Sequence, residues 1–415
     1  MHQPLGYVNL VHPTHVCQLS RALYGLKQAA HTWFDRLSDF LLQLGFYCSI
    51  SDPSLFICQS SRGVLILLLY VDDMIVTGDD PNWIQWLISQ LAHEFSIKDL
   101  GFLHHFLGIE VHWSTQGLFL SQTRYALELL DRAAMTSCKP ISTPMPSKGR
   151  QLPINNDLYP NPTHYGSLVG GLQYLTFTRP DLSYSVNFVC QFMHAPTMAH
   201  SQLVKRILHY VHGTAHFGLQ ILASSTLDLY GFSDANWAGC SISWWSTTGF
   251  CTFLGSNCIS WNAKKQSTMS QPSAEAEYRF MASTAAELTW LSFLLHDLGI
   301  ALPRPPILHC DNLSALYMTV NPVFHGRTKH IELDYHSLCE KVALGSLETH
   351  FVPSNHELAD IFTKPLSKVA FRELWNKLGL CLDPRPSLRG SKSAAGNQEA
   401  ENQEESISTP KPPNL

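Results

Sequence analysis

The sequence predicts a mixed α/β protein of more than one domain, and three observations carry that expectation. Short apolar runs of strand character alternate with stretches whose apolar residues recur at helical spacing. A Pro-, Ser- and Asn-rich stretch from Lys139 to Pro162 separates an early group of such elements from a later one. At 415 residues the chain is also long enough for two or three domains with cores of their own.

The first expected element is a helix from Leu19 to Leu44, with Leu37, Phe40, Leu41 and Leu44 on its apolar side and Gly45 as its stop. The apolar run Val64 to Leu69 reads as a strand that leads through Tyr70-Val71-Asp72-Asp73 into a second strand, Met74 to Gly78. Asp79 to Asn82 supplies a turn, and Trp83, Leu87, Leu91 and Phe95 mark the amphipathic helix after it. Phe106 to Val111 and Leu118 to Leu120 form a hairpin around Thr115-Gln116-Gly117, and a helix from Thr123 to Arg132 closes this unit. Tyr165 to Phe217 is mostly helical, with Arg179-Pro180-Asp181 as an internal helix start. A third unit alternates strands and helices. Strand Leu227 to Ser233 ends at Asp234, a helix starts at Ser273, and strand Ile307 to Cys310 ends at Asp311 before a helix from Leu313. Strand Glu348 to Val352 then precedes a short helix carrying Asp360. After Asp383 large apolar residues nearly vanish, which predicts disorder. The expected division is 1–138, a linker and helical connection over 139–226, a sheet domain over 227–366, and a helix with a disordered tail over 367–415.

A net charge of −5 with 15% charged residues gives no global field for a polyanion, so any nucleic-acid contact must come from local basic patches. Eleven scattered cysteines without a CxxC pair argue against a disulfide framework and a zinc ribbon, and predict a reducing intracellular setting. Met1 to Pro4 lacks a secretory signature, and the longest apolar run is far shorter than the ~20 residues of a membrane-spanning helix. The expectation is a protein without a membrane, cytoplasmic or nuclear and not secreted. The 21 histidines show neither HExxH nor zinc-like spacing and read as surface or core residues.

Chemistry concentrates at two sets of carboxylates. Asp72 and Asp73 end an apolar strand, where unpaired acids are costly; they imply either a solvated turn or a divalent ion such as Mg²⁺, which takes hard oxygen ligands. In the third unit, Asp234 and Asp311 stand at strand ends, and Asp360 and a helical glutamate join them. On the helix from Ser273, at ~100° per residue, Glu277 borders the apolar stripe of Tyr278, Met281, Ala285 and Leu288, whereas Glu275 points away. Two strand-end aspartates plus helical acids suit a pair of metals about 3.5–4 Å apart, as used in phosphodiester cleavage. Each acid read singly is equally a cap or a solvated turn.

Taken together, several stretches are distinctive. They are Ala22-Leu23-Tyr24-Gly25-Leu26-Lys27-Gln28-Ala29, Tyr70 to Gly78, Phe106-Leu107-Gly108-Ile109, Phe232 to Gly239, Ser246-Thr247-Thr248-Gly249, Ser273 to Tyr278, Thr328-Lys329-His330-Ile331 and Leu358 to Lys364. In this order they resemble the reverse transcriptase and ribonuclease H portion of copia-type LTR retrotransposon Pol polyproteins, over nearly the whole length up to Leu366. The resemblance implies an α+β palm and thumb remnant followed by a ribonuclease H-like mixed-sheet α/β domain. It implies that Asp72 and Asp73 are polymerase metal ligands, and that Asp234, Glu277, Asp311 and Asp360 hold two Mg²⁺ or Mn²⁺ ions. Gly25, Lys27 and Gln28 would lie near template and nucleotide, and Phe106 and Gly108 near the primer end. The partner implied is an RNA/DNA hybrid or a template-primer duplex.

The chain departs from the family pattern in several places. The resemblance calls for a third polymerase aspartate and nucleotide-binding fingers before the tyrosine-rich helix; without them nucleotide addition is expected to be lost, leaving hydrolysis of RNA in hybrids as the remaining activity. Trp244-Trp245 and Gln271-Pro272 stand where relatives carry basic residues, and Phe280 replaces a small residue. Lys264, Lys265, Arg279, Arg327 and Lys329 remain as candidate hybrid-binding charges. The alternative is a non-catalytic nucleic-acid-binding relic or a co-opted transposon-derived protein.

Overall fold

The computed structural model of this chain describes residues 2–18, 25–147, 157–237, 245–266, 273–320 and 332–384. Over those residues the architecture is mixed α/β, built on three sheets. Helix α1 (Lys27–Gln43) precedes a four-stranded antiparallel sheet in simple sequence order: β1 (Tyr47–Cys48), β2 (Leu55–Ser60), β3 (Gly63–Tyr70) and β4 (Asp73–Gly78). Residues 19–24 of the expected first helix lie outside the described residues. Although β3 is apolar throughout, the pleat sends only Leu65, Leu67 and Leu69 fully inward. They pack with Leu37 and Leu41 of α1 and with Leu87 and Leu91 of α2 (Pro81–Glu94). Asp80 caps α2 by accepting from the Asn82 amide at 2.9 Å, and Pro81 fills the first helical position, where no amide proton is needed.

The expected hairpin is interrupted near its start. Leu107 and Gly108 both adopt positive φ (48° and 71°), so the chain reverses between β5 (His105–Phe106) and β6 (Ile109–Ser114). Two left-handed residues in succession are what a two-residue hairpin turn matching strand twist requires. β7 (Gly117–Ser121) completes the second hairpin, and α3 spans Thr123–Arg132. The helical connection comprises α4 (Pro162–Leu175), α5 (Ser183–Cys190) and α6 (Met198–Gly213), which pack against α3 before β8 (Phe217–Leu222) pairs with β7.

At the turn into α5 lies a fully buried ion pair. Arg179 Nε and Nη2 donate to Asp181 Oδ1 and Oδ2 at 2.9 and 2.7 Å, Nη1 donates to the Thr214 carbonyl at 2.7 Å, and Tyr210 Oη donates to Asp181 at 2.7 Å. The guanidinium also faces the Tyr210 and Phe217 rings.

The third sheet has the order β11-β10-β9-β12-β13, from β9 (Leu229–Asn236), β10 (Thr247–Leu254), β11 (Asn257–Lys265), β12 (Ile307–Cys310) and β13 (Glu348–Phe351). β9, β10 and β11 form an antiparallel meander, and β12 and β13 add in parallel on the other side of β9. Helix α7 (Ser273–Asp297) crosses over between β11 and β12, and α8 (Leu313–Val320) and α9 (Glu332–Ala343) lie between β12 and β13. Leu229, Leu308 and Cys310 meet Tyr278, Met281 and Leu288 of α7 on one face. Cys251, Phe253 and Cys258 pack toward the helical connection on the other. Helix α10 (Asp360–Thr363) and α11 (Lys368–Lys377) follow, and β14 (Leu380–Leu382) pairs antiparallel with β8. The second sheet thus reads β14-β8-β7-β6-β5, drawing strands from early, middle and late parts of the chain. The first sheet meets α7 as well: Ser49 Oγ donates to Asp297 Oδ2 at 2.6 Å, and Trp290 Nε1 to the Ser51 carbonyl at 3.0 Å.

His309 of β12 stacks on Phe232 (4.8 Å between ring centres) and faces His350 of β13 at 5.9 Å. Burial, reinforced by His350, pushes its imidazole down to about 4. A depressed histidine contributes stability that is present above about pH 6.5 and lost as pH falls through about 4. His309→Gln is therefore expected to flatten the acid limb of a stability–pH curve between those values, measured by urea unfolding at successive pH.

Candidate active site

Sheet register explains why two aspartates meet. In β9 and β12, Phe232 pairs with His309; continuing that parallel register by two residues brings Asp311 level with Asp234. Asp311 stands one residue past β12, as expected, but Asp234 lies inside β9 rather than at its end, paired with Gly249 of β10. The strand continues to Asn236 because β10 supplies partners that far. Gly249 is needed at this point: a Cβ there would run into Phe362 and Thr363 of α10. Gly249→Ala is expected to push α10 away and cost about 1–3 kcal/mol, read from denaturant unfolding.

Glu277 comes from the face of α7 that packs on β9 and is 6% exposed. Its Oε2 has no hydrogen-bond partner. Burial, followed by Asp234, Asp311 and Glu357, pushes this carboxyl up to about 10. Glu275 departs from expectation. It is equally buried rather than pointing away, and its charge is met by Arg279 at 2.9 Å one turn on. A helix wheel drawn on α7 alone cannot register what covers its other side.

Asp360 opens α10, and Lys364 Nζ lies 2.5 Å from its Oδ1 and 3.8 Å from Asp234 Oδ2. Thr363 Oγ1 donates to Asp234 as well. Burial and Asp234 raise the Asp360 carboxyl to about 6 against the pull of Lys364. Asp234 is raised by burial, with Lys364 and Thr363 opposing. Burial works against the Lys364 ammonium, yet Asp234, Asp360 and Asp311 together hold it above its ordinary range. Ser354 Oγ donates to Asp311 Oδ2 at 2.6 Å and orients that carboxylate from the segment after β13.

One acid was not anticipated. Glu357 is 1% exposed, its Oε1 accepts from the Ala359 amide at 2.9 Å, and its Oε2 has no partner. Burial, with Asp234, Asp311 and Asp360 adding, raises it well above the carboxylate range. Among the described residues, five carboxyls therefore share one end of this sheet with one ammonium, Lys364. Orphaned, buried carboxylate oxygens on hard-oxygen donors suit a divalent cation, so the residues present fit the metal that the acidic pattern implies.

Asp72 and Asp73 do not join this cluster. Asp72 lies in the exposed two-residue reversal Val71-Asp72 and Asp73 opens β4 opposite Tyr70, with Val71 held at φ 56° and its carbonyl accepting from Trp33 Nε1 at 2.8 Å. Among the described residues no third His, Cys, Asp or Glu shares a metal-sized space with them. Gly25 has φ 88°, Lys27 opens α1, and Gln28 is exposed on its first turn. Phe106 ends β5 and Gly108 is the second residue of the β5–β6 reversal, where Tyr174 Oη donates to the Leu107 carbonyl. Of the candidate hybrid-binding charges, Lys264 is exposed on β11, Lys265 bonds Gln191 and covers the Trp245 ring, and Arg279 pairs with Glu275. Arg327, Lys329, Trp244, Gln271 and Pro272 lie outside the described residues.

A family model described as "Reverse transcriptase (RNA-dependent DNA polymerase)" matches residues 1–147, the stretch that holds the acidic hairpin of the first sheet. The chain is 45% identical, over 92% of its length, to the retrovirus-related Pol polyprotein from transposon RE1 of Arabidopsis thaliana, of which it spans 26%. An uncharacterised mitochondrial protein of the same plant is 54% identical over 55% of this chain and 95% of its own length. Among solved structures, the foamy viral protease-reverse transcriptase in complex with RNA/DNA hybrid aligns at a TM-score of 0.48 and 11% identity, covering 89% of this chain and 42% of that one. The chain belongs to the copia-type retrotransposon Pol polyproteins.

Proposed function

We propose that the carboxylate cluster on the third sheet is a hydrolytic centre that cleaves RNA within RNA/DNA hybrids. The observation that carries this reading is the gathering of Asp234, Glu277, Asp311 and Asp360 at one end of the third sheet, where the buried Oε2 atoms of Glu277 and Glu357 lack donors. These four acids are the ones that would hold a pair of Mg²⁺ or Mn²⁺ ions, which when bound would activate water and stabilise the leaving oxygen. Thr363 and Ser354 orient Asp234 and Asp311 by donating to them, and Lys364 offsets part of the negative charge. Lys264, exposed on β11, is available to a backbone phosphate. Nucleotide addition is not part of this reading for the chain alone, since Asp72 and Asp73 stand without a third acid among the described residues.

A second reading is non-catalytic binding of nucleic acid, and Lys364 favours it, because its ammonium already bridges Asp234 and Asp360. One experiment separates the two: purified chain with a labelled hybrid, in Mg²⁺ and then Mn²⁺. Cleavage of the RNA strand supports the hydrolytic centre. Salt-sensitive binding without cleavage in either metal overturns it in favour of the second reading.

A further inference from the structure

Beneath the carboxylates lies a donor of different character. Cys310 is the last residue of β12, and the pleat turns it toward α7, away from His309 and into the core, where it is fully buried. Its Sγ, a carboxylate oxygen of Glu277 and one of Asp311 all lie within 4.8 Å of one another, and no other such trio of His, Cys, Asp or Glu occurs among the described residues. The Asn312 amide approaches the sulfur at 3.4 Å. Glu277, more than nine-tenths buried, has an oxygen without a partner, so an unsatisfied carboxyl and a thiol share the same small space.

We propose that Cys310, Glu277 and Asp311 form a binding site for one thiophilic divalent cation, Zn²⁺ or Cd²⁺, overlapping the hydrolytic centre but not depending on hydrolysis. A thiolate among hard oxygens shifts preference from Mg²⁺ toward softer ions. The spacing suits the class. With Zn–S near 2.3 Å and Zn–O near 2.0–2.2 Å, tetrahedral ligand atoms sit roughly 3.5 Å apart, a spacing compatible with three atoms that all lie within 4.8 Å of one another. Small rotations of the Glu277 side chain adjust the fit, and its Oε2 has no hydrogen bond to give up. Asp311, only partly buried, is the edge through which an ion enters, and water completes the coordination. Sharing Glu277 and Asp311 makes occupancy by a soft ion and by Mg²⁺ mutually exclusive.

The test is titration of the full chain with Cd²⁺, following the sulfur-to-cadmium charge-transfer absorbance in the ultraviolet, with Zn²⁺ as competitor. Wild type is expected to show one tight equivalent that Zn²⁺ displaces and that millimolar Mg²⁺ weakens. Cys310→Ser is expected to lose that equivalent, leaving only weak signal from other cysteines. Glu277→Gln keeps the thiol and the shape, and is expected to weaken binding at least about 10-fold. A lone reactive thiol would be indifferent to Glu277, so an unchanged Glu277→Gln titration overturns the proposal, as does a wild-type curve matching that of Cys310→Ser. Because absorbance reports binding directly, a chain that never cleaves RNA still decides the question.

Discussion

Asp234→Asn is expected to lower cleavage of an RNA/DNA hybrid by more than about 10²-fold while leaving the fold intact. Even residues one shell outside a metal typically cost 10–100-fold when changed, and Asp234 is central to the acid cluster, facing Asp311, Asp360 and Glu277. Asparagine keeps the size of the side chain and its bond from Thr363, so packing against α10 survives. Removing a carboxylate that burial and Asp311 disfavour also relieves its desolvation cost, so the metal-free variant is expected to be at least as resistant to urea as wild type. Stability and activity would thus move in opposite directions. Cleavage that persists in this variant would trace the activity to another site or to a contaminant, and the hydrolytic reading would fall with it.

Arg179→Ala is expected to be the most destabilising single change in the helical connection, by about 3–5 kcal/mol in denaturant unfolding. The side chain is 1% exposed, and its removal strands Asp181 in the interior with Tyr210 as its remaining donor. The Thr214 carbonyl and hydroxyl each lose a donor at the same time, the carbonyl keeping only the Phe217 amide. Arg179→Lys is not expected to rescue, because an ammonium cannot engage both Asp181 oxygens and Thr214 from one planar fork. Changing Asp181 and Arg179 together to apolar residues of similar volume is expected to cost much less than Arg179→Ala, since no buried charge is left alone.

Local pattern made much of this legible. The helix from Thr123 to Arg132 and the one marked by Trp83, Leu87 and Leu91 announce themselves through periodicity, although the latter starts at Pro81, inside the expected turn, and Asp311 announces itself through the apolar strand it ends. Properties set by distant partners stayed hidden. Asp234 sits inside its strand because β10 pairs past it, and Glu275 is buried by what covers α7. Glu357 carried no signal of its own, since a glutamate between His356 and Leu358 looks like any surface turn until the sheet closes over it. Lys364 was more accessible: its spacing of four from Asp360 is the usual one for a helical ion pair, and that alone points to a counter-charge beside the acid. The Leu107-Gly108 reversal was missed because leucine seldom adopts positive φ, so nothing but glycine marked the turn.

The pairing of β14 with β8 bears on how the chain emerges from the ribosome. β8 has β7 beside it early, but its other edge waits until Leu382 has been synthesised, more than 150 residues later, before Leu380 can settle opposite Leu219. During translation that open edge is a template for stray strand addition, and long-range closures of this kind are slow. Nascent chains stalled before α11 would accordingly be the ones most in need of a chaperone.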